Sequence, residues 1–239
     1  SRASASAIGV EREPGATNAC ATPARASSSA TVAQNVAATS GGVGWASGIR
    51  ETIRAHPAAA ANSAYGRRVD PTPGAQRLAT IVAGDGPRIV LVHGFTQTAR
   101  CWGAFADQLA AAHYRLIAVD APGHGRSADI AVDFETGAAL LGDTCGRAVY
   151  VGYSMGGRYA LRLALDRPEL VRALVLIGAS PGIEDPDERA ARRAEDEQRA
   201  AHIERVGVAA FLDEWLRQPL FATLPAEAAH RDERLRNTA

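Results

Sequence analysis

From about residue 75 onward, apolar residues follow two patterns that alternate along the chain. Continuous apolar runs without polar alternation are typical of strands buried on both faces of a parallel sheet. Between them lie stretches with apolar residues at helical spacing, such as residues 99–113 and 134–141. The stretches predicted as strands are residues 77–83, 88–92, 116–119, 149–151 and 173–178. This alternation predicts an α/β fold with a doubly wound, mostly parallel sheet.

The two ends of the chain have a different composition. Residues 1–74 are rich in Ser, Ala and Arg with few large apolar residues, so we expect a low-complexity, disordered extension before a folded unit of residues 75–239. Residues 184–206 interleave charges of both signs, as a solvated helix does. A second helix is predicted over residues 208–216 and a third from Pro225. Together, residues 184–239 are predicted to form a helical lid over the sheet edge.

Charge and composition exclude several classes of function. The formal net charge is zero and the pI is near 7.0, which gives no electrostatic basis for binding nucleic acid or an anionic membrane. No apolar run approaches the roughly 20 residues that span a bilayer. All 26 basic residues are arginine, which excludes lysine-dependent chemistry. Three scattered cysteines have no metal-ligand spacing and indicate a reducing, cytoplasmic compartment.

The clearest chemical motif is the Gly-x-Ser-x-Gly of residues 152–156. An apolar, β-branched run precedes it and a helical pattern follows, which is the strand, sharp turn and helix of a nucleophile elbow. Such a turn strains the serine backbone, and Gly152 and Gly156 leave room for it. The motif predicts an exposed Ser154 hydroxyl and a Met155 backbone N–H that stabilises a developing oxyanion. The alternative is a glycine-bearing turn with an unreactive serine.

Two further motifs follow earlier strands: His93-Gly94-Phe95, and the Asp-Ala-Pro-Gly-His-Gly-Arg-Ser of residues 120–127. All three motifs lie at strand carboxyl ends, where open α/β sheets hold ligands. In their order and spacing they resemble the α/β-hydrolase family over residues 75–239. That resemblance implies that Phe95 donates the second oxyanion N–H, beside Met155. It also implies structural roles for His93 and His124.

A narrower resemblance starts at the elbow. Residues 151–158, the Ala-Ser-Pro-Gly-Ile of residues 179–183 and the Trp-Leu-Arg-Gln-Pro-Leu-Phe-Ala of residues 215–222 are similar to the MenH branch. These are the 2-succinyl-6-hydroxy-2,4-cyclohexadiene-1-carboxylate synthases of menaquinone biosynthesis. The resemblance implies a lyase that abstracts a proton from a cyclohexene ring and expels pyruvate, without a metal or organic cofactor. Its serine, activated by a histidine, acts as the base.

The resemblance also implies a small-molecule polycarboxylate substrate, and arginine binds carboxylates bidentately at any physiological pH. Arg158, one helical turn beyond Ser154, is predicted to point into the site. For the arginines of the lid, the alternative is ordinary surface charge. The resemblance also implies that Arg192 and Arg236 act as clamps that bind substrate carboxylates. It implies that the pocket walls are Tyr153, Trp215 and Phe221.

The α/β-hydrolase triad has the chain order Ser, acid, His. No late Asp-bearing loop or Gly-His motif precedes Ala239, so we expect a truncated sequence with its last strands missing, inactive and aggregation-prone on its own. His202 and His230, with Asp196 or Asp213, have the required order but lie on charged helical segments. Two alternatives to the lyase stay open: a serine ester or C–C bond hydrolase on the same scaffold, and a non-catalytic binding module.

Overall fold

The computed structural model describes residues 76–238, so the predicted extension over residues 1–74 lies outside the described residues. Within these described residues, five strands form one sheet with the spatial order β1-β3-β2-β4-β5. Strand β1 pairs antiparallel with β3, and all other neighbouring strands are parallel. The strands are β1 Thr80–Ala83, β2 Arg88–Val92, β3 Arg115–Val119, β4 Ala148–Tyr153 and β5 Val171–Ile177.

Helices cover both faces of this sheet: α1 Gly103–Ala111, α2 Phe134–Cys145 and α3 Met155–Asp166. Strand β2 divides its side chains between the two faces, as the pleat requires. Val90 and Val92 belong to one buried cluster, which includes Leu141 of α2 and Leu163 of α3. Ile89 and Leu91 belong to the other, with Phe105 and Leu109 of α1. The predicted α/β fold with a doubly wound, mostly parallel sheet is confirmed.

The strand order brings the predicted site motifs together. Strand β2 lies between β3 and β4, and in this register Val92 pairs with Val119 on one side and Gly152 on the other. The loops that follow these three strands therefore leave the sheet side by side at the same edge. These are the loops that hold His93, Asp120 and Ser154.

The last part of the described chain is helical. Helix α4, Pro186–Leu216, is interrupted at Gly207, whose backbone (φ 79°, ψ 161°) is not helical, in agreement with the two helices predicted here. The prediction of a third continuous helix from Pro225 is wrong. Residues Ala226–Ala229 form a 3-10 turn, and a single helical turn, α5 Arg231–Arg234, follows it. His230 separates them because its backbone is left-handed, with φ 50° and ψ 41°.

Candidate active site

Ser154 lies at a sharp turn between β4 and α3. Its backbone (φ 51°, ψ −113°) is in a region that residues with side chains rarely occupy. The Ser154 N–H donates to the Ile177 carbonyl oxygen at the end of β5 (2.8 Å), and the Ser154 carbonyl accepts the Arg158 N–H (3.2 Å). These hydrogen bonds hold the serine in its strained conformation. The strand, turn and helix of the predicted elbow are all present.

Two glycines allow this turn to pack tightly. A Cβ atom at Gly156 would lie 2.2 Å from the Val92 carbonyl oxygen, and one at Gly152 would lie 2.5 Å from the Gly157 Cα. Both distances are far below ordinary contact, which is about 3.5 Å or more between non-bonded heavy atoms. Helix α3 can therefore approach the end of β2 only with glycine at these positions. Its positive N-terminal end thus lies beside the loop that follows β2.

His93 fixes the start of that loop. Its Nε2 accepts the Ala121 N–H (3.0 Å), so the proton is on Nδ1, which donates to the Gly94 carbonyl oxygen (2.8 Å). Burial, reinforced by the neighbouring His124, lowers the pKa of His93 from 6.5 to about 4. The ring is therefore neutral at physiological pH, and both of its nitrogens serve the backbone. These contacts fit the structural role predicted for His93.

Residues 94–97, here named the oxyanion loop, contain the predicted donor Phe95. Gln97 closes the loop, because its N–H donates to the Gly94 carbonyl (3.1 Å) and its side-chain oxygen accepts the Gly94 N–H (2.9 Å). Met155 is the first residue of α3, so its N–H has no acceptor within the helix. Among residues 76–238, neither the Phe95 nor the Met155 N–H has a hydrogen-bond acceptor. Their role as oxyanion donors stays a prediction.

Aromatic side chains surround Phe95. The ring centroid of Trp215 lies 5.5 Å from that of Phe95, and the centroid of Phe211 lies 6.3 Å from it. The ring centroid of Phe221 lies 6.1 Å from that of Trp215. Tyr153 lies against Gly94, since a Cβ there would be 2.8 Å from the tyrosine ring. The structure thus brings two of the three predicted pocket walls, Tyr153 and Trp215, to the oxyanion loop, and the third, Phe221, to Trp215.

Arg158 is the predicted carboxylate clamp on α3. Its side chain is partly buried, and its Nε atom is buried without any hydrogen-bond partner in the described chain. Arg162, one turn further along the same helix, is fully engaged with Asp166 (2.6 Å) and Glu135 (3.1 Å). A buried guanidinium nitrogen without an acceptor carries a desolvation penalty that a bound carboxylate would remove. The arrangement therefore leaves Arg158 able to bind an anion.

The other two predicted clamps lie in different surroundings. Arg192 pairs with Asp196 on the surface of α4 (Nε–Oδ2 2.9 Å), and its side chain is 40% exposed. Arg236 pairs with Glu233 (Nε–Oε2 2.8 Å), and its side chain is 64% exposed. Within residues 76–238, no hydrogen bond or ion pair joins either arginine to the elbow or the oxyanion loop. Their roles as substrate clamps stay predictions.

Sequence reasoning missed Arg234, which is only 3% exposed. Its Nε–H donates to the Ala229 carbonyl oxygen (2.7 Å), and its guanidinium also donates to the Thr96 hydroxyl in the oxyanion loop. Burial lowers the pKa of Arg234, and no carboxylate pairs with it among the described residues. No pattern in the sequence distinguishes Arg234 from Arg231 or Arg236, because its burial depends on the left-handed turn at His230.

Three of the four lid residues considered as triad substitutes, His202, Asp213 and Asp196, pair with residues outside the elbow. His202 lies between Glu214 (2.6 Å) and Arg205 (2.6 Å), and Asp213 pairs with Arg231 (2.8 Å). In the part of the chain that the structure describes, no histidine or carboxylate hydrogen bonds to the Ser154 hydroxyl. That part also contains no cluster of three His, Cys, Asp or Glu residues that could hold a metal ion. None of its helices is both long and apolar enough to cross a bilayer.

Comparisons with known proteins agree with this geometry. The 2-succinyl-6-hydroxy-2,4-cyclohexadiene-1-carboxylate synthase of Klebsiella pneumoniae subsp. pneumoniae is 36% identical over 146 residues, covering 59% of this chain and 57% of that protein. Among solved structures, MenH from S. aureus has a TM-score of 0.59 at 29% identity, over 66% of each chain. A thermophilic esterase from Thermogutta terrifontis has a TM-score of 0.55 at 25% identity, covering 66% of this chain and 61% of that one.

The chain therefore spans less than two thirds of the length of these relatives. The predicted resemblance to the synthases of the MenH branch is confirmed by the first two. The family model described as the alpha/beta hydrolase family matches residues 89–239, which includes the three strand-end motifs and the helical segment. Fold, motif geometry and family match lead to one conclusion: this chain belongs to the alpha/beta hydrolase family.

Proposed function

We propose that this chain is part of a lyase that eliminates pyruvate from a succinyl-cyclohexene carboxylate to give 2-succinyl-6-hydroxy-2,4-cyclohexadiene-1-carboxylate. The similarity to synthases of that name suggests the reaction. The observation that carries the proposal is Arg158, whose buried Nε has no partner among residues 76–238 and which follows Ser154 by one helical turn. The whole reaction is assigned to the full-length protein, of which the described residues supply the serine and its surroundings.

Arg158 bears on the choice of substrate through its charge. A guanidinium stays charged at any physiological pH, and a buried charge without a counterion is unfavourable. A substrate carboxylate would supply that counterion and accept two parallel hydrogen bonds. An uncharged ester offers no group that needs such a partner. A guanidinium without an acceptor for its Nε among the described residues, one helical turn beyond the serine, therefore favours an anionic substrate.

In the proposed reaction, the Ser154 oxygen removes a proton from a ring carbon. The electron pair of the broken C–H bond becomes a ring double bond as the C–O bond to the three-carbon group breaks. That group leaves with the C–O electron pair as the enolate of pyruvate, and a proton equivalent to the one removed from the ring returns to it to give pyruvate. The Phe95 and Met155 N–H groups would stabilise negative charge that develops on a conjugated oxygen. Because a serine hydroxyl is a weak base at neutral pH, a histidine must take its proton, as the family resemblance implies.

A second candidate is a serine ester hydrolase on the same scaffold. The similarity to the Thermogutta esterase favours it, and a nucleophilic serine needs nearly the same elbow and oxyanion donors as a basic one. In that reaction Ser154 attacks a carbonyl carbon, and Arg158 contacts no reacting group. The two functions therefore differ in what they require of Arg158.

Replacement of Arg158 in the full-length protein separates the two functions. Arg158→Met removes the charge at similar length, and we expect the KM for the cyclohexene substrate to rise by roughly 10- to 100-fold through loss of a charge-assisted hydrogen bond pair. Steady-state release of pyruvate measures this. Arg162→Met is the matched control, because that arginine lies on the same helix but pairs with Asp166 and Glu135. An unchanged KM in Arg158→Met would contradict the lyase proposal and favour the hydrolase.

A further inference from the structure

We propose that residues 229–237, here named the strap, position the oxyanion loop for catalysis through Asn237 and Arg234. The inference rests on the proposed function in one respect, the use of the Phe95 N–H as an oxyanion donor. It concerns two residues that neither the motifs nor the comparisons assign to a role. Both are positioning residues, because they act through the loop rather than on the substrate.

The oxyanion loop contains a strained residue. Thr96 is buried at 6% exposure and has φ 66°, in the left-handed region. A left-handed backbone costs roughly 1–2 kcal/mol for a residue with a Cβ, and β-branched side chains fit it worst. The two hydrogen bonds between Gly94 and Gln97 close the loop but do not contact Thr96. Other groups must therefore hold the conformation that presents Phe95.

The strap supplies these groups. The Asn237 side-chain amide donates to the Thr96 carbonyl oxygen (2.8 Å), while its side-chain oxygen accepts the Gly125 N–H (2.8 Å). One amide therefore ties the loop after β2 to the turn after β3. The Arg234 guanidinium donates to the Thr96 hydroxyl and so holds the side chain of the same residue. Thr96 is restrained at both its backbone and its side chain.

The strap is itself anchored to α4 and held together by an internal hydrogen bond. Arg231 pairs with Asp213 of α4 (2.8 Å), and the Arg234 Nε–H donates to the Ala229 carbonyl oxygen (2.7 Å). Helix α4 also carries Trp215, which packs on Phe95. The strap and the helical segment thus contact the oxyanion loop from two directions. Loss of one strap contact is expected to displace the loop without unfolding the sheet beneath it.

A misplaced oxyanion donor weakens binding of the transition state more than binding of the substrate. In the full-length protein, Asn237→Ala is therefore expected to lower kcat by roughly 10- to 100-fold with little change in KM. Thr238→Ala, a change at the exposed neighbouring residue, is the matched control and should leave both constants unchanged. A merely structural role would lower the amount of folded enzyme without this separation of kcat from KM.

A rescue experiment tests the strain directly. Asparagine adopts the left-handed region more readily than threonine and keeps a side-chain oxygen for Arg234. In the Asn237→Ala background, Thr96→Asn should therefore return kcat to within about threefold of the wild type. If Thr96→Asn restores nothing, or if Asn237→Ala raises KM and leaves kcat unchanged, the positioning role is overturned. The second outcome would instead make the strap part of the substrate pocket.

A second readout does not depend on the natural substrate. Diethyl p-nitrophenyl phosphate reacts with an activated serine: the Ser154 oxygen attacks phosphorus, p-nitrophenolate leaves with its bonding electrons, and the serine proton passes to the enzyme's base. The phosphoryl oxygen occupies the oxyanion site, so Asn237→Ala should slow labelling by a factor similar to its loss in kcat. Labelling as fast as in Thr238→Ala would overturn the strap proposal. Slow labelling in an enzyme that releases no pyruvate would support the strap and refute the lyase.

Discussion

His93 is a buried histidine whose two ring nitrogens serve the backbone, and this gives the protein a specific pH dependence. Its pKa is lowered from 6.5 to about 4 in the folded state, so the unfolded chain binds the proton more tightly. The stability that His93 contributes is fully present above pH 6.5 and is lost as the pH falls toward 4. A shift of this size corresponds to roughly 3 kcal/mol of unfolding free energy.

We expect the free energy of unfolding to fall more steeply between pH 6.5 and 4 in the wild type than in His93→Gln, which cannot titrate. Urea denaturation at a series of pH values measures the difference between the two slopes. His113→Gln serves as the control for the loss of a histidine, since the His113 side chain is exposed. Equal slopes for the wild type and His93→Gln would show that His93 is not buried as a neutral ring.

At the residue scale, the sequence predicted what depends on local geometry. Ser154 and its flanking glycines were predictable because the elbow is built within one short stretch of chain. The arginines were harder, because Arg234 and Arg236 are two residues apart on the same short segment. Arg234 is buried and Arg236 exposed after the left-handed turn at His230, and no periodicity indicates that turn. Asn237 was missed for another reason: its partners, Thr96 and Gly125, are distant in sequence.

Among the elements, α4 is the one whose shape matters most for the site. Gly207 has φ 79° and ψ 161°, a region that is almost exclusive to glycine. Phe211 and Trp215 follow this break and pack on Phe95. The change of direction at Gly207 therefore sets where Phe211 and Trp215 meet the oxyanion loop.

Gly207→Ala is expected to destabilise the protein by roughly 1–3 kcal/mol through backbone strain alone, because nothing lies within 4 Å of the added Cβ. It should also raise KM, since straightening α4 would move Trp215 away from Phe95. Denaturation and steady-state kinetics measure the two effects. Ala209→Gly, just beyond the break, is the control and should cost at most about 1 kcal/mol with KM unchanged. A Gly207→Ala protein as stable as the wild type would rule out the strained break.

The elements themselves were largely predictable. Strands buried on both faces give continuous apolar runs, as in β2, and all five predicted strands occur. The break in α4 was predicted near Gly207 because the charged pattern changes there to an amphipathic one. The prediction of a third helix was wrong although residues 226–234 have good helical propensity, because the left-handed backbone of His230 interrupts the helix. Such overrides arise from tertiary contacts, and propensity does not include these.

At the scale of the whole molecule, the sheet order explains why three separate motifs form one site. Strand β2 lies between β3 and β4, so the loops after these strands emerge together. The sequence did not predict the order of the strands in space. It did predict that every motif lies at the carboxyl end of a strand. The chemistry of the serine is the opposite case, since an elbow of this geometry suits a base and a nucleophile equally well.

The most direct test of the proposed lyase is pyruvate release from the succinyl-cyclohexene carboxylate by the full-length protein and its Ser154→Ala variant. We expect the wild type to release one pyruvate per molecule of product, and Ser154→Ala to lower kcat by about a thousandfold or more. Ser180→Ala, a change at an exposed serine after β5, should be without effect. Release that does not depend on Ser154 would contradict the proposal. So would a wild type that releases no pyruvate but hydrolyses a p-nitrophenyl ester through Ser154.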